Sequence, residues 1–308
     1  MKPAVRLLAL AALGAAVLLA QGQNRRRHDF NLNVQDRNSE NCAGLQAEAR
    51  GGELAQATES FTMARSQAPT LEIGSIERGN VRVIGAYQAD YTVEVCKFAV
   101  AADRATAELA LRAVAVSHNG GKISTNNPSG IDADWTTYVI VHAPKDASLD
   151  LDATNGALAV RDVDGQIKMH AVNGPIAVKN CGGRVDANTQ NGPIAFEGSG
   201  GDIHLKAQNG PIAVKLSSDF WNGNQLEAHT DNGPVSLKMP DNFRSAVRVE
   251  SDGHSPMSCK ATACANAVSD LVHAPRVLQL NGSEETIHIS THNGPIAVAA
   301  EGNSGRVI

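Results

Sequence analysis

The chain has 308 residues, enough for one large domain or two ordinary ones, and its formal net charge is −5. This negative balance argues against nucleic acid as a partner, because the phosphate backbone repels it. Aromatic residues make up only 4% of the chain, while glycine occurs 28 times. Such a composition favours thin, regularly stacked strands over an enzyme core packed around large rings.

The first twenty residues have the layout of a secretory signal peptide. Lys2 and Arg6 precede an apolar run over residues 7–20, after which the chain turns polar. That run is too short to cross a bilayer of roughly 30 Å. We therefore predict a signal peptide at 1–20 that is cleaved after Ala20, and a mature chain of net charge −7 without a transmembrane span.

Three arginines directly follow this segment, at residues 25–27. Positive charge just past an apolar run resists translocation, so an uncleaved anchor is the alternative to a cleaved signal peptide. The predicted location is extracytoplasmic, and the periplasm, the cell surface and the secreted state all fit it.

Five cysteines in an exported chain predict disulfides, because the compartments outside the cytoplasm are oxidising. Cys259 and Cys264 enclose four residues and are suited to closing a loop. Cys42 and Cys96 are suited to tying the N-terminal arm to a strand. Cys181 is left over, and we predict a free core thiol there instead of a nucleophile.

Six of the chain's Asn-Gly pairs follow a repeat: four are spaced strictly by 18 residues, a fifth follows after a step of 23, and the sixth follows after a long interruption. Five of the six sites continue with proline and then isoleucine or valine. Such periodicity is the mark of a solenoid. The six asparagines are Asn155, Asn173, Asn191, Asn209, Asn232 and Asn293.

Each repeat carries two strands, because its apolar residues alternate, as in Ile176 and Val178 and then in Val185 and Ala187. Glycines nine residues apart mark one turn at Asn-Gly and a second turn half a repeat later. Stacked coils place equivalent residues in columns about 4.8 Å apart. The predicted buried column of the second strand is Leu149, Ile167, Val185, Ile203, Leu226 and Ile287.

Stacked asparagines at the turn are predicted to form a hydrogen-bonded ladder with a structural role, and not a ligand site. The ladder comprises Asn155, Asn173, Asn191, Asn209 and Asn232.

The predicted fold class is all-β: a single-chain β-solenoid of two-strand, 18-residue coils, preceded by a strand-rich segment with one short helix. A polar, irregular segment is expected at 21–50, the strand-rich part at 51–145 with a helix near 103–113, and the solenoid at 146–308. Two insertions leave the pitch of the repeat, near 216–226 and 240–285.

This layout resembles a bacterial family of proposed adhesins long catalogued as a domain of unknown function. The resemblance rests on the strand-rich start, the helix from Asp103 to Ala113, the Pro-Lys-Asp-Ala entry at 144–147 and the Gly-x-Ile-x-Val repeats, and it covers roughly residues 55–300. It implies a β-solenoid in the cell envelope or outside the cell. It supplies no catalytic residues.

No catalytic, metal or cofactor motif stands out in the sequence. Polysaccharide-cleaving solenoids need two acids that converge in a groove. Glu197 and Asp202 lie at outward positions of one coil, among Lys179, Lys215, Asp186 and His204, which is a mixed-charge surface. No set of histidines, cysteines and acids has metal-ligand spacing.

The first insertion concentrates scarce aromatics beside amides and an acid, a combination that suits a carbohydrate contact. Its candidate ligand-binding residues are Asp219, Phe220, Trp221, Asn222 and Asn224. The alternative is that Phe220 and Trp221 fold back over the solenoid core.

Three functional hypotheses follow. The first is a non-enzymatic, adhesin-like scaffold or binding module of the envelope or the secreted fraction, with a glycan or another envelope component as its partner. The second is a polysaccharide-active enzyme that uses Glu197 and Asp202. The third is a self-assembling spacer whose unpaired edge strands stack on another copy. The sequence sets no oligomeric state.

Overall fold

The protein is an all-β solenoid, as the repeat predicts. A computed structural model describes residues 30–36, 39–252, 255–282 and 284–301. The predicted signal peptide at 1–20 lies outside these residues. Two sheets face each other across one continuous core, and within the repeats every coil gives one strand to each sheet in parallel register.

The described part of the chain before the repeats contains nine strands and one α-helix, and two of its long strands, β3 and β6, pair antiparallel. These elements are β1 Asn31–Gln35, β2 Gln46–Arg50, β3 Glu53–Met63, β4 Thr70–Ile76, β5 Gly79–Ala86, β6 Tyr91–Ala101, α1 Arg104–Ala113, β7 Val116–Asn119, β8 Lys122–Thr125 and β9 Ala133–Pro144.

The repeats and their insertions supply the remaining strands. These are β10 Ser148–Asn155, β11 Leu158–Arg161, β12 Gln166–Asn173, β13 Ile176–Lys179, β14 Arg184–Asn191, β15 Ile194–Gly198, β16 Gly200–Asn209, β17 Ile212–Leu216, β18 Asn222–Asn232, β19 Val235–Met239, β20 Val247–Ser251, β21 Met257–Cys259, β22 Val268–Asp270, β23 Arg276–Leu280, β24 Ile287–Asn293 and β25 Ile296–Ala300.

The longer sheet, here called sheet I, runs in the order β22-β23-β20-β24-β18-β16-β14-β12-β10-β4-β8-β7. The facing sheet, sheet II, runs in the order β21-β25-β19-β17-β15-β13-β11-β5-β9-β6-β3. Equivalent residues of successive coils are direct partners, as where Ile167 pairs with Val185 and Val185 with Ile203. The predicted aliphatic column is therefore confirmed, and each of its side chains is buried. Burying one such side chain stabilises the fold by roughly 1.5–3 kcal/mol before entropy is deducted.

The strand-rich N-terminal part continues the solenoid without a break. β4 pairs in parallel with β10, and β5 pairs in parallel with β11, so two N-terminal strands form a coil of their own below the first repeat. Asp103 caps the helix α1, accepting a hydrogen bond from the Thr106 amide at 2.8 Å. The alanines of α1 pack against β3, β6 and β9.

The segment expected to be irregular at 21–50 instead contains an antiparallel hairpin of β1 and β2. Its apolar residues Leu32, Val34 and Leu45 lie on the outer face of sheet II, against Phe98 and Tyr138. The prediction was wrong because this hairpin has few apolar residues, and those it has are covered only by contacts with sheet II, which are distant in sequence. Residues 21–29 lie outside the described part.

The insertion at 240–285 builds the end of the stack. β20 and β21 form an extra coil that pairs with β24 and β25, so the last repeat in sequence lies between the β18–β19 coil and the insertion. β22 and β23 then extend sheet I in antiparallel pairing. Ala261, Ala263 and Cys264 pack against this end of the core.

Both cysteine pairs that were suited to bonding form disulfides, Cys42–Cys96 and Cys259–Cys264. The first anchors the β1–β2 hairpin on sheet II, and the second closes the loop at the far end. No helix among the described residues is long and apolar enough to span a membrane.

Candidate functional site

The first insertion runs along the corner between β17 and β18, and the second insertion holds it in place. The Asp219 carboxylate lies 2.7 Å from the Arg244 guanidinium. The backbone carbonyl of Asp219 accepts a hydrogen bond from the backbone N–H of Arg244 at 2.8 Å. The Trp221 amide donates to Ser245 Oγ at 2.9 Å. Two segments that both leave the repeat are therefore fastened to each other.

Trp221 turns inward. Its side chain is 6% exposed and belongs to the main core, with its ring centroid 6.0 Å from that of Phe196. Among the predicted ligand residues, Trp221 is thus a core residue and offers no ring to a ligand.

Phe220 turns outward and is 47% exposed. Asn222 and Asn224 follow closely in sequence, at the start of β18, and both are exposed. The exposed amide-rich corner, defined here as Phe220, Asn222, Asn224 and Gln225, is what remains of the predicted site. It offers one apolar ring face and three amides, which can donate and accept hydrogen bonds.

The asparagine ladder forms along the opposite corner. Each side-chain amide donates to the carbonyl oxygen of the asparagine one coil below, at 3.0–3.2 Å, from Asn155 up to Asn293. At the bottom, Asn155 Nδ2 donates to the Glu77 carbonyl at 3.2 Å. The amides are engaged with one another, so the ladder serves the stack.

Glu197 and Asp202 lie on opposite outer faces of the solenoid. Glu197 belongs to β15 in sheet II, where it meets Lys179 at 3.2 Å and Lys215 at 3.3 Å. Asp202 belongs to β16 in sheet I, where its column neighbour is Arg184. The sequence places both acids at outward positions of one coil, but that coil sends its two strands to different sheets.

Histidine and carboxylate side chains line the outer face of sheet I near its C-terminal end. His204 Nε2 lies 3.2 Å from Asp202, and His204 Nδ1 lies 3.3 Å from Glu227. A single ion cannot take both contacts, since they use opposite nitrogens of one ring. Within the described residues no three histidine, cysteine or acidic side chains are placed to share a metal.

The histidine pattern was only partly visible in the sequence. His204, Glu227 and His288 are consecutive in one column, because β24 pairs directly with β18. The long interruption before residue 287 hid this neighbourhood. His288 lies 3.6 Å from Glu250 of the insertion coil, which packs on its other side.

Cys181 is the one cysteine outside the disulfides, and it is buried, as predicted. Burial away from water raises the pKa of its thiol to about 12, because the thiolate would lose its hydration. A thiol in this state is neither a nucleophile nor a metal ligand at neutral pH.

No family model matches the chain, and no curated protein matches it in sequence. One similar solved structure is a "putative cell adhesion protein" from Clostridium sporogenes, 9% identical, covering 80% of this chain and 100% of that chain, with a TM-score of 0.32. Another is a "putative adhesin" from Bacteroides fragilis, 8% identical, covering 80% of this chain and 97% of that chain, with a TM-score of 0.39. TM-scores this low carry no argument about function.

Proposed function

We propose that this chain is a non-enzymatic, exported binding protein of the cell envelope, an adhesin-like scaffold that displays its ligand contacts on a rigid solenoid. The solenoid supports this role because each of its two sheets has a ladder of parallel strands that runs through the repeat coils, so surface residues hold fixed positions. Two disulfides support an oxidising compartment outside the cytoplasm.

The observation that carries the proposal is the placement of Glu197 and Asp202. Acid and base catalysis on a polysaccharide needs two carboxyl groups on either side of one glycosidic bond. Here Glu197 lies on the outer face of sheet II, and Asp202 lies on the outer face of sheet I. Each carboxylate is instead engaged by basic side chains of its own sheet, Lys179 and Lys215 for Glu197 and Arg184 for Asp202, so the pair is not directed at one glycosidic bond.

The charge environment of Glu197 points the same way. Partial burial alone would raise the pKa of Glu197, but hydrogen bonds and charge from Lys179 and Lys215 outweigh it and lower the pKa. The carboxylate therefore stays ionised at neutral pH. A general acid needs the reverse, a carboxyl whose pKa is raised towards the working pH.

The ligand surface that we propose is the exposed amide-rich corner. A carbohydrate offers apolar C–H faces and many hydroxyls, which match an aromatic ring flanked by amides. Phe220 supplies the ring, and Asn222 and Asn224 supply donors and acceptors. The ion pair of Asp219 with Arg244 fixes the backbone from which Phe220 projects.

The test is a screen of the mature protein on an array of glycans and envelope polysaccharides that scores binding and product formation together. Phe220→Ala is compared with the wild type, and Tyr87→Ala is the matched control, because Tyr87 is a 94% exposed ring far from the corner in sequence. We expect binding without turnover that is lost in Phe220→Ala and kept in Tyr87→Ala. Product formation would contradict the proposal and favour a polysaccharide-active enzyme.

A further inference from the structure

The two sheets end in four edge strands of very different lengths. At the C-terminal end, β21 and β22 have three residues each, and at the N-terminal end of sheet I, β7 has four. β3, the N-terminal edge of sheet II, has eleven residues. Within the described part of the chain, no strand pairs with the outer edge of β3.

Long free edges invite pairing with another chain, and proteins normally block them with proline, a bulge or a charge. β3 contains no proline and no lysine, and its ladder with β6 runs from Glu53 to Met63 without a bulge. The charged residue in the middle of the strand, Glu59, forms an ion pair with Lys97 of the neighbouring strand β6. The Lys97 side chain is only 5% exposed. The charge of Glu59 is therefore neutralised from within the same molecule.

We propose that the free edge of β3 pairs antiparallel with β3 of a second copy, so that sheet II runs through a two-fold dimer. Two identical strands that pair antiparallel lie on a two-fold axis, which closes the assembly at two copies. With the axis at Thr58, the middle of the strand, all eleven residues find a partner.

Side-chain pairing in this register is self-complementary. On the outer face, which is also the face of Cys96, Thr58 meets Thr58 and Gln56 meets Ser60, pairs that hydrogen-bond across strands. On the inner face Glu59 meets Ala57, so the acids are not opposed. A register centred one residue later would put Glu59 against Glu59, which like-charge repulsion disfavours.

The inner face also gains apolar cover. Phe61 is half-buried at this end of the core, where its ring stacks on the exposed His118 of β7 with centroids 4.1 Å apart. In the register centred on Thr58, Phe61 lies opposite Ala55, a small side chain that α1 already buries, so the cover gained on the inner face is that of Phe61. A foreign peptide would need pockets for its own side chains, whereas a second copy brings matching ones.

The experiment is sedimentation of the mature chain with charge variants at the axis. We expect the wild type to be a dimer, and Thr58→Lys and Thr58→Glu to be monomers when each is alone, because like charges meet at the axis. An equimolar mixture of the two variants should restore a dimer. Ala177→Lys, an exposed substitution on the outer face of β13, should leave the dimer intact.

Circular dichroism and thermal unfolding of each variant show whether it folds, and Thr58→Cys provides a second line of evidence. Under mild oxidation Thr58→Cys should form an intermolecular disulfide, since directly opposed positions bring Cβ atoms within about 5 Å, and peptide mapping should show the two introduced thiols joined and Cys42–Cys96 intact. A wild type that stays monomeric at every soluble concentration would overturn the proposal. So would a dimer that survives Thr58→Lys, because its interface would then lie elsewhere.

Discussion

Asn293 Nδ2 donates a hydrogen bond to Asn232 Oδ1 at 3.1 Å, although 61 residues separate the two in sequence. The bond has the same length as the bond from Asn209 Nδ2 to Asn191 Oδ1, and those two residues are 18 apart. The asparagine ladder thus passes across the insertion as if the insertion were absent. The intervening chain has been displaced to the end of the stack, where it forms the C-terminal cap.

This ladder should contribute measurably to stability. Asn191→Ala removes two side-chain hydrogen bonds, one to Asn173 and one from Asn209. Because these amides are exposed, we expect the free energy of unfolding to fall by only about 1 kcal/mol. Urea unfolding measures the change, and Gln190→Ala, its exposed neighbour, is the control. Equal free energies of unfolding for the two variants would show that the ladder adds nothing to stability.

Glycine at the Asn-Gly turn is required by close approach of the coils. A Cβ on Gly192 would lie 2.2 Å from the carbonyl oxygen of Gly174, which belongs to the backbone and cannot rotate away. We expect Gly192→Ala to lower the free energy of unfolding by about 2–3 kcal/mol. Gly74→Ala is the matched control, since nothing lies within 4 Å of its added Cβ. The glycine requirement would be refuted if both variants unfold alike.

Strict repetition explains how much of the fold the sequence predicts. An 18-residue period with alternating apolar residues allows only one register, so columns such as Ile176, Ile194 and Ile212 can be aligned by counting. Asn-Gly-Pro marks the start of the sheet II strand in five of the six repeats, because proline spares a ladder donor there. The N-terminal coil of β4 and β5 lacks this signature, so sequence reasoning found its strands but not their place in the stack.

The candidate site was less predictable because it depends on contacts outside the period. The aromatic pair of the first insertion divides, with Trp221 inside and Phe220 outside, and composition cannot tell which ring turns inward. Arg244, which holds Asp219, lies in the second insertion, 25 residues further on. Only the tertiary arrangement brings the two insertions together.

The division of the two rings predicts opposite behaviour of two alanine variants. Trp221→Ala empties core volume beside Phe196 and should destabilise the protein by about 3–5 kcal/mol. Phe220→Ala removes a ring that is already half in water, and we expect a change below about 1 kcal/mol. Thermal unfolding of both variants measures the difference. If Phe220→Ala were equally destabilising, its ring would be structural and the proposed glycan contact would lose its basis.

The two disulfides should differ in their contribution to stability. Cys42 and Cys96 are 54 residues apart, whereas Cys259 and Cys264 are 5 apart. Loop-closure entropy then assigns about 4 kcal/mol to the first bond and about 2 kcal/mol to the second. Denaturant unfolding of the Cys42→Ala/Cys96→Ala and Cys259→Ala/Cys264→Ala proteins tests the order. The reverse order would show that native-state contacts, and not chain entropy, dominate.

Cys181 should be silent towards thiol reagents as long as the protein is folded. Its pKa is raised from 9.0 to about 12 by burial, so the reactive thiolate is scarce at pH 8 and the sulfur is also out of reach. We expect a disulfide reagent to label no thiol in the native protein and one thiol after unfolding in denaturant. Cys181→Ala, which should show no labelling in either state, identifies the site.

The same raised pKa predicts how stability depends on alkaline pH. The folded state binds the Cys181 proton more tightly than the unfolded state, so this contribution is fully present below pH 9.0 and is lost as the pH rises towards about 12. The wild type should therefore lose more stability between these limits than Cys181→Val, which fills the site without a titrating group. Parallel pH profiles of the two proteins, measured by denaturant unfolding, would mean that the thiol ionises as easily in the core as in water.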